Sequence, residues 1–174
     1  LTIQLDGARE IEIDYESGPN ASSLQWLEPA QTASGKKFLF SQGQAILNRS
    51  WIPTQDSPGI RQTYDARIVG PADLKVVMSA EMLTPNGEAA GEGKRAFRFR
   101  MPQRIPPYLI AIAIGDLVHH SVTDRTGVWC EPSVRERAAY ECADMGNMMR
   151  VAEALYGEYR WGRYDVLILP PSFP

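Results

Sequence analysis

The sequence is poor in the residues that usually announce chemistry. It holds two cysteines, Cys130 and Cys142, and two histidines, His119 and His120, in 174 residues. Two cysteines do not make a disulfide framework, and they are read as free thiols. Adjacent histidines on a strand point to opposite faces, which prevents them from sharing one metal ion. There is no H-E-x-x-H, no C-x-x-C, no G-x-S-x-G and no glycine-rich phosphate loop. No serine or cysteine has a recognisable base partner, and no pair of carboxylates stands at a spacing suited to acid–base work. Long apolar runs are also missing. The longest, Tyr108 to Ile114, has the length of a strand, so no membrane span is expected. A net charge of −3 gives no basic footprint for nucleic acid. The residues alone contain no complete active site.

The rest describes an ordinary globular chain, 44% hydrophobic and 22% charged, of a length that suits one domain or one and part of another. Its first three-quarters have the period of strands. Leu1, Ile3 and Leu5 alternate with polar residues, as do Ile11, Ile13 and Tyr15, which predicts a hairpin-like pair of half-buried strands. Leu24 to Leu27 is a short apolar patch expected to pack under the loop before it. Ile60–Val69 and Leu74–Ala80 read as strands, and Pro85-Asn86-Gly87 as a turn. In Lys94–Met101, Phe97, Phe99 and Met101 point inward, while Arg98 and Arg100 form an outward row suited to a solvated sheet face. Tyr108–Ile114 is apolar on both faces and predicts a central strand. Val118–Trp129 predicts a further strand pair.

The period then changes. Val134, Ala138, Cys142, Met145, Met149, Ala152 and Tyr156 form one stripe of an amphipathic helix, with Pro132 in its first turn and Gly157 at its end. Gly146 weakens that helix by about 1 kcal/mol relative to alanine and suggests a close approach by a neighbour. Val166–Leu169 is a short buried strand before Pro170-Pro171. Strands followed by a helix and a strand predict a mainly β fold that leads into an α/β unit, with the join near Leu117.

One stretch, Leu39 to Pro58, combines an apolar entry with two glutamines two residues apart. At a strand period Gln42 and Gln44 project from one face, and Gly43 between them leaves room for a close approach on the other. Ile52-Pro53 and Asp56-Ser57-Pro58 fix the corner that follows, with Asp56 as a turn cap. Periodicity alone makes the glutamine pair a solvated strand face.

Several stretches together resemble the leukotriene-A hydrolase branch of the zinc aminopeptidases, the gluzincin metallopeptidases. They are Ser23–Leu27, Phe40-Ser41-Gln42-Gly43-Gln44-Ala45-Ile46, Arg49, Gln55–Pro58, Pro107–Ala111 with Gly115, Trp161–Asp165, and Leu169-Pro170-Pro171-Ser172-Phe173-Pro174. The resemblance implies part of a saddle-shaped, sandwich-like N-terminal β domain over residues 1–117. It also implies the start, a helix plus strands, of a thermolysin-like α/β catalytic domain over 118–174. The sequence stops just before the place where that family carries Gly-Gly-Met-Glu-Asn. The family's zinc ligands, glutamate base and transition-state tyrosine lie further on, so the chain alone is expected to be inactive and zinc is expected in a longer parent. In such enzymes zinc polarises the scissile carbonyl and activates water. The implied partners are a peptide substrate with a free amino terminus and the remainder of the catalytic domain.

One functional element carries over residue by residue. Relatives use a Gln-x-Gln segment to hold the amino end of the substrate, which implies substrate binding by Gln42, Gly43 and Gln44. The Gln44 side-chain oxygen is the expected acceptor for the substrate ammonium. Gly43 stands where the leukotriene hydrolases have cysteine. The alternative from a different class is a non-catalytic β module that binds a peptide or protein partner along an exposed strand.

Overall fold

The computed structural model describes residues 3, 4 and 6–171. Three sheets stack in layers, and the middle one explains the two-sided apolar strands. It contains β1 (Leu24–Leu27), β2 (Phe38–Ser41), β4 (Lys75–Met78) and β8 (Ile112–Gly115), in the order β1-β2-β8-β4 with antiparallel pairing throughout. Alternate residues of β4 and β8 serve opposite faces. Val76 and Ile112 join Phe97 and Phe99 in one core, while Val77 and Ala113 join Phe38, Phe40, Leu27 and Leu117 in another. A strand covered on both sides must be apolar on both sides, which is why Ile112 to Ile114 reads as a central strand. The first part of the predicted strand differs. Pro107–Leu109 form a short 3-10 turn, since Pro107 has no backbone N–H to give a ladder.

The outer sheet is built on β7 (Lys94–Ile105), which pairs with the long β3 (Gln62–Pro71) and the short β5 (Glu81–Met82) and β6 (Glu88–Ala89). Phe97 and Phe99 are each 1% exposed and Met101 8%, as their spacing requires. Arg98 and Arg100 lie on the other face, paired with Glu88 at 3.2 Å and Asp65 at 2.9 Å. The basic row is therefore a solvated sheet face with cross-strand ion pairs. Gly87 closes the 84–87 turn with a positive φ of 66°, a conformation that favours glycine.

The third sheet contains β9 (Val118–Ser121), β10 (Thr126–Cys130) and β11 (Tyr164–Leu167), with β9 antiparallel and β11 parallel to β10. Trp129, Leu167 and Leu169 pack against the second face of the middle sheet. Val128 and Cys130 face the helices with Ala138. Glu131, 2% exposed, ties this layer back to the early chain, because its carboxylate accepts the backbone N–H groups of Ala33 and Ser34 at 3.0 and 2.9 Å.

The helical stripe forms two helices, α1 (Arg135–Glu141) and α2 (Met145–Tyr156), where the spacing predicts one. The steps from Ala138 to Cys142 to Met145 keep the apolar face aligned across the break, so the pattern reads as continuous. Gly157 ends α2 with a φ of 90°. Gly146 does mark a close approach: a Cβ there would lie 2.6 Å from Thr123 Cγ2 in the β9–β10 turn. The stripe is covered as far as Met149: Ala138 and Met145 are buried and Val134, Cys142 and Met149 half-buried, whereas Ala152 and Tyr156 are exposed, and beside the stripe Met148, Val151 and Leu155 are 60–68% exposed.

Other expectations are corrected. Among the described residues from Ile3 to Tyr15 no strand or hairpin forms. Ile11 and Tyr15 are 55% and 56% exposed, and the segment pairs with no strand among the described residues; Leu1 and Leu5 of that pattern lie outside them. Alternation makes a segment fit to be a strand, but a ladder also needs an edge to add to. Leu24–Leu27 is an edge strand rather than packing under a loop, and Trp26 is 57% exposed. The last strand is half-buried because it lies at the sheet edge. Ser172 to Pro174 of the terminal motif also lie outside the described residues. Among the described residues no helix is long and apolar enough to cross a membrane.

Candidate functional site

Strand β2 delivers the glutamine segment to the rim of the middle sheet and then ends. Its ladder to β8 covers Leu39 and Phe40, and Ser41 Oγ accepts Ile112 N–H at 2.9 Å in place of a further backbone rung. Gln42 N–H still reaches Ser23 O at 2.8 Å. The chain then turns back, with Leu47 N–H on Gly43 O at 2.9 Å, into a 3-10 turn at Asn48–Ser50. The glutamines therefore sit on a turn past the strand and not on the strand. Both are exposed on either side of the buried Gly43. The peptide between Gln44 and Ala45 is cis.

Asn48 determines this departure from the strand. It is wholly buried, and its side chain uses both ends. Its Oδ1 accepts Ser23 Oγ–H at 2.7 Å and Trp51 Nε1–H at 2.9 Å. Its Nδ2 donates to Pro107 O at 2.6 Å and Ile110 O at 2.8 Å. One amide thus ties the residue before β1, the 3-10 turn after the glutamines and the approach to β8 to one another. The space beside Gly43 is taken by this amide: a Cβ on Gly43 would lie 2.6–2.7 Å from the Asn48 Oδ1, Cγ and Nδ2 atoms. Close approach to the glycine does occur, but by a side chain of the same chain.

The other end of the turn is held by Asp56, 4% exposed. Its Oδ2 accepts Arg49 N–H at 2.9 Å and lies 3.8 Å from Arg49 Nε, while Arg49 Nη2 donates to Asp56 O. Asp56 does cap a turn, but the one seven residues behind it rather than the proline corner ahead. Its second oxygen, Oδ1, is buried with no hydrogen-bond partner among the described residues. Two buried polar side chains therefore clamp a short turn whose own amides are free to meet another molecule.

The histidines do not form a site with this turn. His119 and His120 stand opposite Trp129 and Val128 on β10. The His119 ring lies 4.7 Å from that of Trp129, close over Gly127, with Nε2 3.5 Å from Asp165 Oδ1. A separate cleft of about 230 Å³ lies between the 122–125 turn and α2, where Arg125 bonds Glu153 at 2.8 Å. That contact and the Tyr159 N–H hold the Glu153 carboxyl below its ordinary value. Both cysteines are free; burial raises the Cys130 thiol pKa. Among the described residues no group of three His, Cys, Asp or Glu side chains is placed to hold a metal ion, so the residues present do not fit a zinc site.

Sequence reasoning names Gln42, Gly43 and Gln44 but misses Asn48, Ser23 and Trp51. Their partners lie up to 62 positions away, beyond the reach of local periodicity.

Comparisons with known proteins agree with this architecture. The model of the peptidase M1 N-terminal domain family matches residues 2–109. The chain is 43% identical over 166 residues to leukotriene A-4 hydrolase of Xenopus laevis, covering 94% of this chain and 27% of that protein. It is 46% identical over 167 residues to human aminopeptidase B, covering 95% of this chain and 25% of the relative. Among solved structures, the yeast LTA4 hydrolase in complex with bestatin superposes with a TM-score of 0.81 at 35% identity, over 91% of this chain and 24% of that one. An M1 zinc metallopeptidase from Deinococcus radiodurans shares the fold, with a TM-score of 0.65 at 18% identity over 76% of this chain and 32% of that one. The chain spans about a quarter of the length of the curated relatives.

Proposed function

Since the chain belongs to the peptidase M1 N-terminal domain family, we propose that it acts as part of a zinc metallo-aminopeptidase, supplying the β wall that receives the amino terminus of a peptide substrate. In this reading residues 1–117 are the N-terminal β domain and 118–174 open the catalytic domain. The zinc ligands and the reacting groups belong to sequence outside this chain, and the chain by itself is inactive.

The observation that carries the reading is the turn at Gln42–Gln44. Its two side-chain amides are exposed and without hydrogen-bond partners among the described residues, yet the backbone that carries them is tied by Gln42 N–H to Ser23 O and by Gly43 O to Leu47 N–H, with buried Asn48 against Gly43. An exposed polar group on a fixed backbone loses little entropy when it binds, whereas one on a loose loop must be ordered first. Gln44 Oε1 accepts a hydrogen bond from the substrate ammonium. A neutral amide binds that cation less strongly than a carboxylate would but still orients it. Gln42 forms the adjoining wall, and Gly43 keeps the two backbones close to the Asn48 amide.

The uncovered half of α2 supports the second part of the proposal. Met148, Val151 and Leu155 make an apolar face 60–68% exposed, of the kind that further chain in the same domain would cover.

The direct test is an assay of the longer polypeptide that contains this chain. Zinc-dependent hydrolysis of an aminoacyl-nitroanilide, abolished by a chelator, is the expected result. A zinc-loaded protein that hydrolyses no such substrate would sink the proposal. Micromolar peptide binding by the 174 residues alone, without zinc, would favour a binding module in its place.

A further inference from the structure

Asn48 takes up hydrogen bonds at both ends of its side chain, lies against the glycine between the two glutamines, and is itself wholly buried. We propose that Asn48 is a positioning residue for amino-terminal recognition, acting only through the placement of Gln44. The inference rests on the role given above to the glutamine turn.

The geometry separates this from simple core packing. A core amide is satisfied wherever it finds partners, but Asn48 finds them on three different segments that converge on one turn. Ser23 immediately precedes β1, and its backbone oxygen also holds Gln42 N–H at 2.8 Å. Pro107 opens and Ile110 follows the 3-10 turn that leads into β8, whose Ile112 N–H donates to Ser41 Oγ. Trp51 closes the 3-10 turn that follows Gln44. Gly43 completes the arrangement. Its φ lies outside the left-handed region, so its backbone does not require glycine. What excludes a side chain there is space, because a Cβ would lie 2.6 Å from Asn48 Oδ1. The pair is a lock: Asn48 fills the room that Gly43 leaves, and the turn carrying Gln44 is set by the fit.

Two substitutions reach the lock from opposite sides. Asn48→Ala removes the amide and leaves Ser23 and Trp51 donors without their acceptor. Gly43→Ala keeps every hydrogen-bonding group and pushes a methyl into the amide. Each is made in the full-length, zinc-loaded protein, alone and together with Gln44→Ala, and assayed with an aminoacyl-nitroanilide after titration of active sites. Both single variants are expected to raise KM with kcat much less changed, lowering kcat/KM about tenfold. In the Gln44→Ala background neither is expected to add more than about a twofold further loss, because groups that act through one residue are non-additive. A merely structural residue instead reduces the titrated active fraction and leaves KM and kcat per active site unchanged in both backgrounds.

An unchanged KM in Gly43→Ala and Asn48→Ala, or equal losses with and without Gln44, overturns the inference. If Asn48→Ala does not fold, Gly43→Ala decides by itself. Failure of both to fold also counts against it, since it would assign the pair to stability of the domain. A Gln44→Ala protein with normal kcat/KM sinks the role of the glutamine turn and this inference with it. A normal Gln44 effect beside an unmoved KM in the other two sinks only the role of Asn48.

Discussion

Placing a methyl group on Gly115 tests the central layer of the fold with a single atom. Gly115 ends β8 opposite Lys75, and its missing side chain faces the Phe38 ring on β2. A Cβ there would lie within 2.5 Å of Phe38 Cε2 and closer still to Cδ2. The ring has little freedom to yield, since Phe38 is 1% exposed and shares a core with Leu27, Phe40, Val77, Ala113 and Leu117, closed from the far side by Trp129 and Leu167. The backbone at Gly115 is not in the left-handed region, so alanine meets no conformational penalty there. Overpacking a close-fitted core costs about 1–3 kcal/mol. Against this stands a gain of about 0.4–1 kcal/mol from the lower chain entropy of alanine in the unfolded state. Gly115→Ala is therefore expected to destabilise the chain by about 1–2 kcal/mol net. Phe38→Ala alone should cost about 3–5 kcal/mol through lost burial and the cavity it leaves. Combined, the new methyl occupies part of that cavity, so the double variant should be more stable than the sum by about 1–2 kcal/mol. Urea unfolding followed by tryptophan fluorescence and far-ultraviolet circular dichroism gives the four free energies. Strict additivity, or a Gly115→Ala chain as stable as the parent, would refute the packing of β2 against β8.

Two further outcomes follow from titratable groups. Under native conditions Cys142, which is half-buried, should be alkylated by iodoacetamide well before Cys130, which is 0% exposed and whose thiol pKa is raised by burial; equal labelling by mass spectrometry would contradict the packing of α1 on β10. Glu153 should titrate below its ordinary value of 4.5, because the Arg125 guanidinium and the Tyr159 N–H favour its charged form. Its folded value lies below its unfolded one, so its contribution to stability is present above the unfolded value and is lost as pH falls through the folded one. A carboxyl shift measured by NMR should move back toward the ordinary value in Arg125→Ala, and no movement would refute the contact.

Where each face of the fold points was legible wherever both faces of a strand had a fixed partner. Phe97, Phe99 and Met101 alternate because one side of β7 meets the middle sheet, and Ile112 to Ile114 are apolar throughout because β8 is covered twice. Periodicity carries no information on whether a cover is present. That is why Ile11 and Tyr15 alternate like a strand yet pair with none among the described residues, and why the stripe on α2 continues to Tyr156, which is 87% exposed. The break between α1 and α2 was invisible because steps of three and four residues keep one face aligned across it. At the candidate site the two glutamines were legible as an exposed polar pair, but their local structure was not. The turn is imposed by Asn48 and Asp56, and the partners of Asn48 lie at Ser23, Pro107 and Ile110. No local pattern in the sequence marks an asparagine three of whose four side-chain partners are 25 to 62 residues away.

The most direct test of the proposed role compares substrates with and without the group that Gln44 is proposed to bind. In the full-length, zinc-loaded protein, kcat/KM is measured for an aminoacyl-nitroanilide and for its analogue lacking the α-amino group, with Gln44 intact and in Gln44→Ala. A desolvated hydrogen bond to a charged group contributes about 2–3 kcal/mol, so the variant should lose about thirty- to a hundredfold or more on the first substrate and almost nothing on the second. Equal losses on both substrates, or none on either, would contradict the assignment of the glutamine turn to the substrate's amino end.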